Sequence, residues 1–467
     1  MNNNFSKLGF ILATLGSSIG LGHIWRFPYM AGEYGGSAFV LVYIILTFFI
    51  GIPILVAKMV IGNKTQKNVL RSFEELDTTA SKHWKKANII IISGPLILSF
   101  YTVVLGWVCY YLFVVSFNLP SDIEKSGEVF GNLVTNNIPA SIITFAVSIF
   151  LTGYIVSRGV KNGLEAFNFV LMPLLFIIFI GLFFYALTLP SFSKATDFLF
   201  SFDISKITPN VVIMALSQVF FSLSIGIGII ITYASSAAKG ENLLSSSTWI
   251  AISGIVVSLV AGLIIFTFLF EYGQQPNEGT GMLFKSLPLV LSKMSYGWLV
   301  SFLFFSAVLF AGITSTISVL EPSVAYISDE FKIGRVKTVW LVCSVIFILG
   351  VFVILSLSNS FGEIFTFFGI ALFDWIDFIT SAIFLPLSAL TAVIFLTYVV
   401  KKKMLYKFVR KFMSTTLFGV WYFIIKYVSP LVIVLILIAK FANTFYTPAP
   451  PVESSDTAKE QSIESNN

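Results

Sequence analysis

The sequence predicts an all-α integral membrane protein with about eleven transmembrane helices. Three observations carry that prediction. Of 467 residues, 57% are hydrophobic and 11% are charged, whereas soluble domains carry roughly 25% charged residues. Mean hydropathy is +0.91. The apolar residues fall in runs of about 17–25 residues, long enough to cross a hydrocarbon core as helix. A soluble core could not enclose so much apolar surface, 50 Phe included, so lipid must solvate most of it.

The runs lie at about 8–34, 36–61, 89–117, 140–156, 167–189, 211–233, 249–270, 298–326, 339–357, 376–400 and 417–441. The first is not a removable signal peptide. It holds Gly16, Gly20, Gly22, Arg26 and Pro28, has no small-residue cleavage site, and leads into a second span. Positive charge alternates between loops. Lys64, Lys67, Arg71, Lys82, Lys85 and Lys86 follow the second span, and Arg158 and Lys161 the fourth. Lys332, Arg335 and Lys337 follow the eighth, and Lys401, Lys402, Lys403, Lys407, Arg410 and Lys411 the tenth. The opposite loops carry Asp122, Glu124, Glu128, Glu271 and Glu278.

The positive-inside rule therefore puts the N-terminus in the cytoplasm, with the chain in the inner (plasma) membrane and the C-terminus outside. The net charge of +6 then reports orientation in a bilayer rather than a nucleic-acid partner. Residues 446–467 are polar, acidic and Pro-rich, and read as a disordered tail behind a transmembrane domain over 1–445. Cys109 and Cys343 sit in apolar runs and read as packing residues. With His23 and His83 as the only histidines, most metal sites are excluded. An enzyme would need clustered acids, bases or nucleophiles at membrane depth, and His23 has no obvious acid partner.

One internal echo stands out. Ser18-Ile19-Gly20-Leu21-Gly22 in the first span is nearly repeated as Ser224-Ile225-Gly226-Ile227-Gly228 in the sixth. Glycine is a poor helix former, and paired Gly-interrupted spans in corresponding halves mark inverted repeats with broken helices. Small-residue helix packing is the alternative.

The stretch Gly16 to Pro28, GSSIGLGHIWRFP, resembles the first-span signature of the neurotransmitter:sodium symporter family. So do Gly35-Gly36-Ser37-Ala38-Phe39, Gly51-Ile52-Pro53, Phe220-Phe221-Ser222-Leu223-Ser224, Thr232-Tyr233-Ala234-Ser235 and Ala311-Gly312-Ile313-Thr314-Ser315. The resemblance extends from about Phe5 to the eleventh span and points to the bacterial amino acid transporter branch with its leucine-transporter-like fold. It implies two inverted five-helix repeats, about 8–189 and 211–400, with helices 1 and 6 broken and an extra helix at about 417–441. It also implies a sodium-coupled symporter that imports a small neutral, apolar amino acid by alternating access. A channel would not need two broken helices closing on one carboxylate pocket. A non-transporting amino acid sensor on the same fold is a further reading.

The resemblance places one sodium site on carbonyls of Gly16, Ile19 and Ala311 and hydroxyls of Thr314 and Ser315. Freed carbonyls and hydroxyls are hard donors suited to Na⁺. Back-bonding to their own helix is the alternative for the hydroxyls. The substrate pocket falls on Ser17, Ser18, Leu21, Gly22, Ile97, Tyr101, Phe221, Ser222, Ser224, Ile227, Ser315 and Val319. There Tyr101 would meet the substrate carboxylate and Phe221 would lid the pocket. Where monoamine carriers have an aspartate this chain has Gly20, so the substrate brings its own carboxylate. Arg26 and Asp377 correspond to an outer gate pair, with Gln218 nearby.

Departures from the family pattern are as informative. The other sodium site reads His23 and Gly254 where amide or carboxylate side chains are expected, so one Na⁺ per substrate is expected. Imidazole is a poor ligand for a hard cation, but it titrates near neutrality and makes proton influence an alternative. Tyr43, Gln218, Ser222 and Ser258 match a chloride site whose Asn is here Gly254, which leaves chloride dependence open. Lys58 replaces a glutamate. It reads either as a stem snorkelling near the end of its span, or as an ammonium that replaces a cation or titrates during transport.

Overall fold

The computed structural model describes residues 7–79, 83–86, 89–276 and 279–446. Lys82, Glu278 and the chain beyond Tyr446, where the tail is expected, lie outside them. The architecture is a bundle of α-helices. Its only strands among the described residues are Thr366–Phe367 and Ile370–Ala371, which pair antiparallel across a two-residue turn. Phe368 and Gly369 both take positive φ there (55° and 77°), as a tight hairpin requires.

Nine helices among the described residues are long and apolar enough to cross a membrane. The first and sixth apolar runs are not among them, because each is interrupted. The other nine apolar runs supply these long helices, and the first and sixth, where broken helices were expected, are built from shorter pieces. The first run comprises Lys7–Ser18, a π-helical turn Gly22–Arg26, and Phe27–Glu33. The sixth comprises Pro209–Ser222 and Ile229–Ser235. Local chemistry starts the sixth run cleanly. Thr208 caps the helix by accepting the Val211 N–H at 3.3 Å, and Pro209 takes the first helical position, where no amide is needed.

Enclosure grades the helices. In their most apolar stretches, 89% of the eighth span (Gly297–Phe331) and 83% of the third are buried, against 28% of the fifth and 22% of the eleventh. The eighth and third pack along one another. The inner part of the first run lies on the eighth, fifth and seventh, and the shorter piece of the sixth lies on the second. The two broken runs thus sit in the centre, shielded from lipid by continuous helices, where non-helical backbone is tolerated in a membrane.

One end of the bundle gathers basic loops. Lys67, Arg71, Lys332 and Arg335, from the loops after the second and eighth spans, line a common cavity there. Arg335 also donates to the Val156 carbonyl at the end of the fourth span (2.8 and 2.9 Å). At this end the second helix runs on to Thr65. Lys58 is therefore interior to it, and the snorkelling reading is corrected: its side chain is fully buried.

Candidate functional site

Both breaks fall on the repeated pentapeptides. In the first run the amides of Gly20 and His23 bond the carbonyls of Ser18 (2.9 Å) and Gly20 (3.0 Å) rather than those four residues back. The carbonyls of Gly16 and Ile19 thereby lose their usual helical donors. In the sixth run Ser224 has φ +51°, a left-handed conformation that a side chain adopts at a cost. Its hydroxyl donates to the Ser17 carbonyl at 3.3 Å, bonding one break to the other.

A small cavity of about 30 Å³ lies between the breaks, lined by Ser17, Ser18, Gly20, Gly22, Ile97, Tyr101, Phe220, Phe221, Ser224, Ile227, Ser315, Val319 and Leu385. The resemblance named most of these. Leu21 and Ser222 are not on the wall. Leu21 acts through its amide, which donates to the Tyr101 hydroxyl at 3.2 Å, while Ser222 turns towards Tyr43. Gly20, Phe220 and Leu385 complete the lining. Gly20 is required by space, because any Cβ there would run into the Ser315 hydroxyl and stand 3.2 Å from that of Tyr101. An aspartate at this position would have no room. No charged side chain lines the cavity. The hydroxyls of Ser17 and Ser18 are buried with no hydrogen-bond partner in the protein, so they are available to a ligand.

Of the residues expected to hold sodium, Ser315 lines this cavity. Thr314 is fully buried and donates to the Ala311 carbonyl at 3.0 Å. That is the back-bonded arrangement, yet it occupies only the hydroxyl proton and leaves the oxygen lone pairs free for a cation. Gly16 packs against the Asn168 side chain of the fifth span. The Asn168 amide group donates to the Leu164 carbonyl at 2.7 Å, and its oxygen has no partner in the protein. Asn168 was not found from sequence, since a lone Asn in an apolar run resembles any packed polar residue.

Comparison with known proteins shows the family. The model of the sodium:neurotransmitter symporter family matches residues 2–123 and 117–450. The chain belongs to the sodium:neurotransmitter symporter family. That is a family of secondary transporters, not enzymes, and its members are multi-pass, sodium-dependent membrane proteins. The chain is 34% identical over 442 residues to the uncharacterized sodium-dependent transporter YhdH of Bacillus subtilis, covering 93% of this chain and 96% of the relative. It is 33% identical over 451 residues to an uncharacterized sodium-dependent transporter of Haemophilus influenzae, covering 93% and 97%. Among solved structures it is similar to MhsT in complex with L-phenylalanine, at TM-score 0.86 and 35% identity over 94% of this chain and 100% of that one.

The departures from the symporter pattern have a physical form. His23 is fully buried. A Cβ added to Gly254 would lie 2.5 Å from its Nε2. The imidazole thus fills the volume that a side chain at 254 would take. Around it, the Gln218 amide donates to the Gly22 carbonyl at 2.6 Å, and Tyr43 and Ser222 share a hydrogen bond at 3.3 Å. The oxygen of Gln218 has no partner in the protein.

The outer gate is corrected in one respect. Arg26 and Asp377 line a common cavity with Asp374 and Tyr34, but they form no ion pair. The Arg26 guanidinium instead lies over the Phe221 ring, 4.4 Å from its centroid. Phe221 thereby separates the outer cavity from the pocket beneath it. At the basic end Glu321 is buried and makes a bidentate pair with Arg335 (2.5 and 3.0 Å). Sequence reading counted Arg335 only as a loop charge, because its partner is fourteen residues away on the eighth helix.

Proposed function

We propose that the protein is a sodium-coupled symporter that imports a neutral, apolar amino acid by alternating access. The observation that carries this reading is the cavity between the two breaks. It has polar groups at one side, namely the Tyr101, Ser17 and Ser18 hydroxyls. The other side is apolar: Ile97, Val319, Ile227, Leu385 and the two phenylalanines. A carboxylate fits the first, beside the positive end of a half-helix, and an uncharged side chain the second. The L-phenylalanine complex of MhsT supports the same class of substrate. In this reading Na⁺ sits among Gly16, Ile19, Ala311, Thr314 and Ser315, and one ion moves per substrate, because His23 and Gly254 offer no oxygen ligand. Chloride at Tyr43, Gln218, Ser222 and Ser258 is left to measurement.

The chain lies in the plasma membrane with its basic end and N-terminus in the cytoplasm, its C-terminus outside, and its two repeats rocking about the pocket. A thermal-shift screen of all amino acids on the purified protein, with and without Na⁺, tests the function. A ligand that binds the folded state raises the melting temperature. We expect stabilisation by apolar amino acids only when Na⁺ is present. Stabilisation by the decarboxylated amine to the same extent refutes the pocket. Saturable uptake into proteoliposomes separates a carrier from a sensor.

A further inference from the structure

The break in the sixth run frees backbone carbonyls, and one lysine reaches them from another helix. Lys58, inside the second helix and 0% exposed, donates to the carbonyl of Ile225. It also donates to the carbonyl of Ile227 at 3.2 Å and to Ser388 Oγ of the tenth span at 3.1 Å. It forms no ion pair among the described residues. An ammonium held in a protein interior without a counter-ion is expensive, and oxygen dipoles must offset the lost hydration. Carbonyls released from a helix are such dipoles, strong and otherwise unsatisfied. Two carbonyls and a hydroxyl with no net negative charge form the kind of donor set that an unwound membrane helix offers a monovalent cation. Here the cation arrives on a side chain.

The same contacts bear on the pocket. Ile227 lines it from the sixth run, and Leu385, about one helical turn before Ser388, lines it from the tenth span. Between the two carbonyls lies Gly226, so close to Leu385 that any Cβ would meet its backbone. Lys58 joins these two walls from outside the pocket.

We propose that the Lys58 ammonium is a tethered cation occupying, in place of a free monovalent ion, a three-oxygen site at the break of the sixth run, and that it positions Ile227 and Leu385 at the pocket. The second half rests on the amino acid reading above; the first half can be tested with no amino acid present.

The test compares melting temperatures of the full-length wild type, Lys58→Ala, Lys58→Met, Ser388→Ala and Lys58→Met with Ser388→Ala, without amino acid. Each is measured in choline, potassium or ethylammonium chloride. We expect Lys58→Ala to melt lower than wild type in choline and to recover saturably with potassium or ethylammonium, while wild type does not respond. Lys58→Met should melt lower than wild type whatever the salt. Ser388→Ala should lower the wild-type value and change nothing further in Lys58→Met, since the interaction it removes is already gone. A Lys58→Met protein as stable as wild type, a Lys58→Ala protein deaf to both cations, or strictly additive Met and Ala effects would each overturn the cation site. Should Lys58→Ala fail to fold, the Met and Ser388 cycle decides alone. With L-phenylalanine and Na⁺ as the binding probe, Lys58→Met should lose about tenfold or more in affinity. Unchanged affinity overturns the positioning role. A wild type that binds no amino acid refutes the functional reading, and the melting data still decide the cation site.

Discussion

The pair His23 and Gly254 offers a perturbation whose outcome can be worked from the structure. An asparagine at 254 would place its Cβ 2.5 Å from the His23 Nε2, closer than non-bonded atoms approach. Gly254→Asn alone therefore overpacks a fully enclosed site, which costs about 1–3 kcal/mol, with this case near the upper end. His23→Asn removes most of a ring and opens the same volume. Combining the two replaces one imidazole with two amides, so the double variant should be more stable than the sum of the singles by about 1–3 kcal/mol. It also returns two oxygen donors to the site. Sodium-dependent uptake in proteoliposomes should then change its Hill coefficient from about one in wild type to about two in the double variant. The reasoning fails if the two substitutions add without coupling in thermal unfolding, or if wild type already shows a coefficient of about two.

Tyr101→Phe deletes the hydroxyl that accepts from the Leu21 amide and that would donate to the substrate carboxylate. Loss of a charge-assisted bond worth about 1.5–3 kcal/mol should weaken amino acid binding at least tenfold in calorimetry, and unchanged affinity would remove Tyr101 from the site. Thr314→Val with Ser315→Ala takes away both hydroxyl donors, and Na⁺ should then no longer promote substrate binding in a protein that still folds. Retained sodium dependence would move the ion elsewhere. Glu321→Gln leaves Arg335 facing a neutral partner and should lower stability by up to about 3 kcal/mol, since Glu321 is buried and Arg335 is partly exposed. A melting temperature equal to wild type would make that pair dispensable.

Sequence reached the fold class because hydrophobic length and Gly punctuation are local signals. The breaks at Ser18–Gly22 and Ser224–Gly228 could be placed to within a residue or two, since helix propensity fails there whatever surrounds them. Most of the pocket was also accessible, because the residues that line it cluster around those breaks. Leu385 and Phe220 were not, since an apolar residue in an apolar helix carries no mark of which wall it faces. The direction of long polar side chains was the least legible. Lys58 depends on how far its helix continues, and Thr65 rather than Ile61 ends it. Arg26 depends on whether Asp377 or the Phe221 ring stands nearer. Both are questions of distances between helices far apart in sequence.

The proposed movement of one Na⁺ per substrate, argued from His23 and Gly254, has an energetic consequence for transport. A charge crossing the membrane potential gains about 2.3 kcal/mol per 100 mV, close to fifty-fold in accumulation. A carrier moving one Na⁺ with a zwitterion draws on that term once, and a carrier moving two draws on it twice. A tethered ammonium holds its oxygens without leaving the protein, so it adds no ion to the transport stoichiometry. On the proposed reading, Lys58 serves the broken backbone as a resident cation while one Na⁺ moves per amino acid. Lower coupling gives weaker concentrating power but a smaller drain on the sodium gradient. The static accumulation ratio therefore reads directly on the site at His23. It should vary with membrane potential by about fifty-fold per 100 mV in wild type, and by about the square of that if the double asparagine variant restores the second ion.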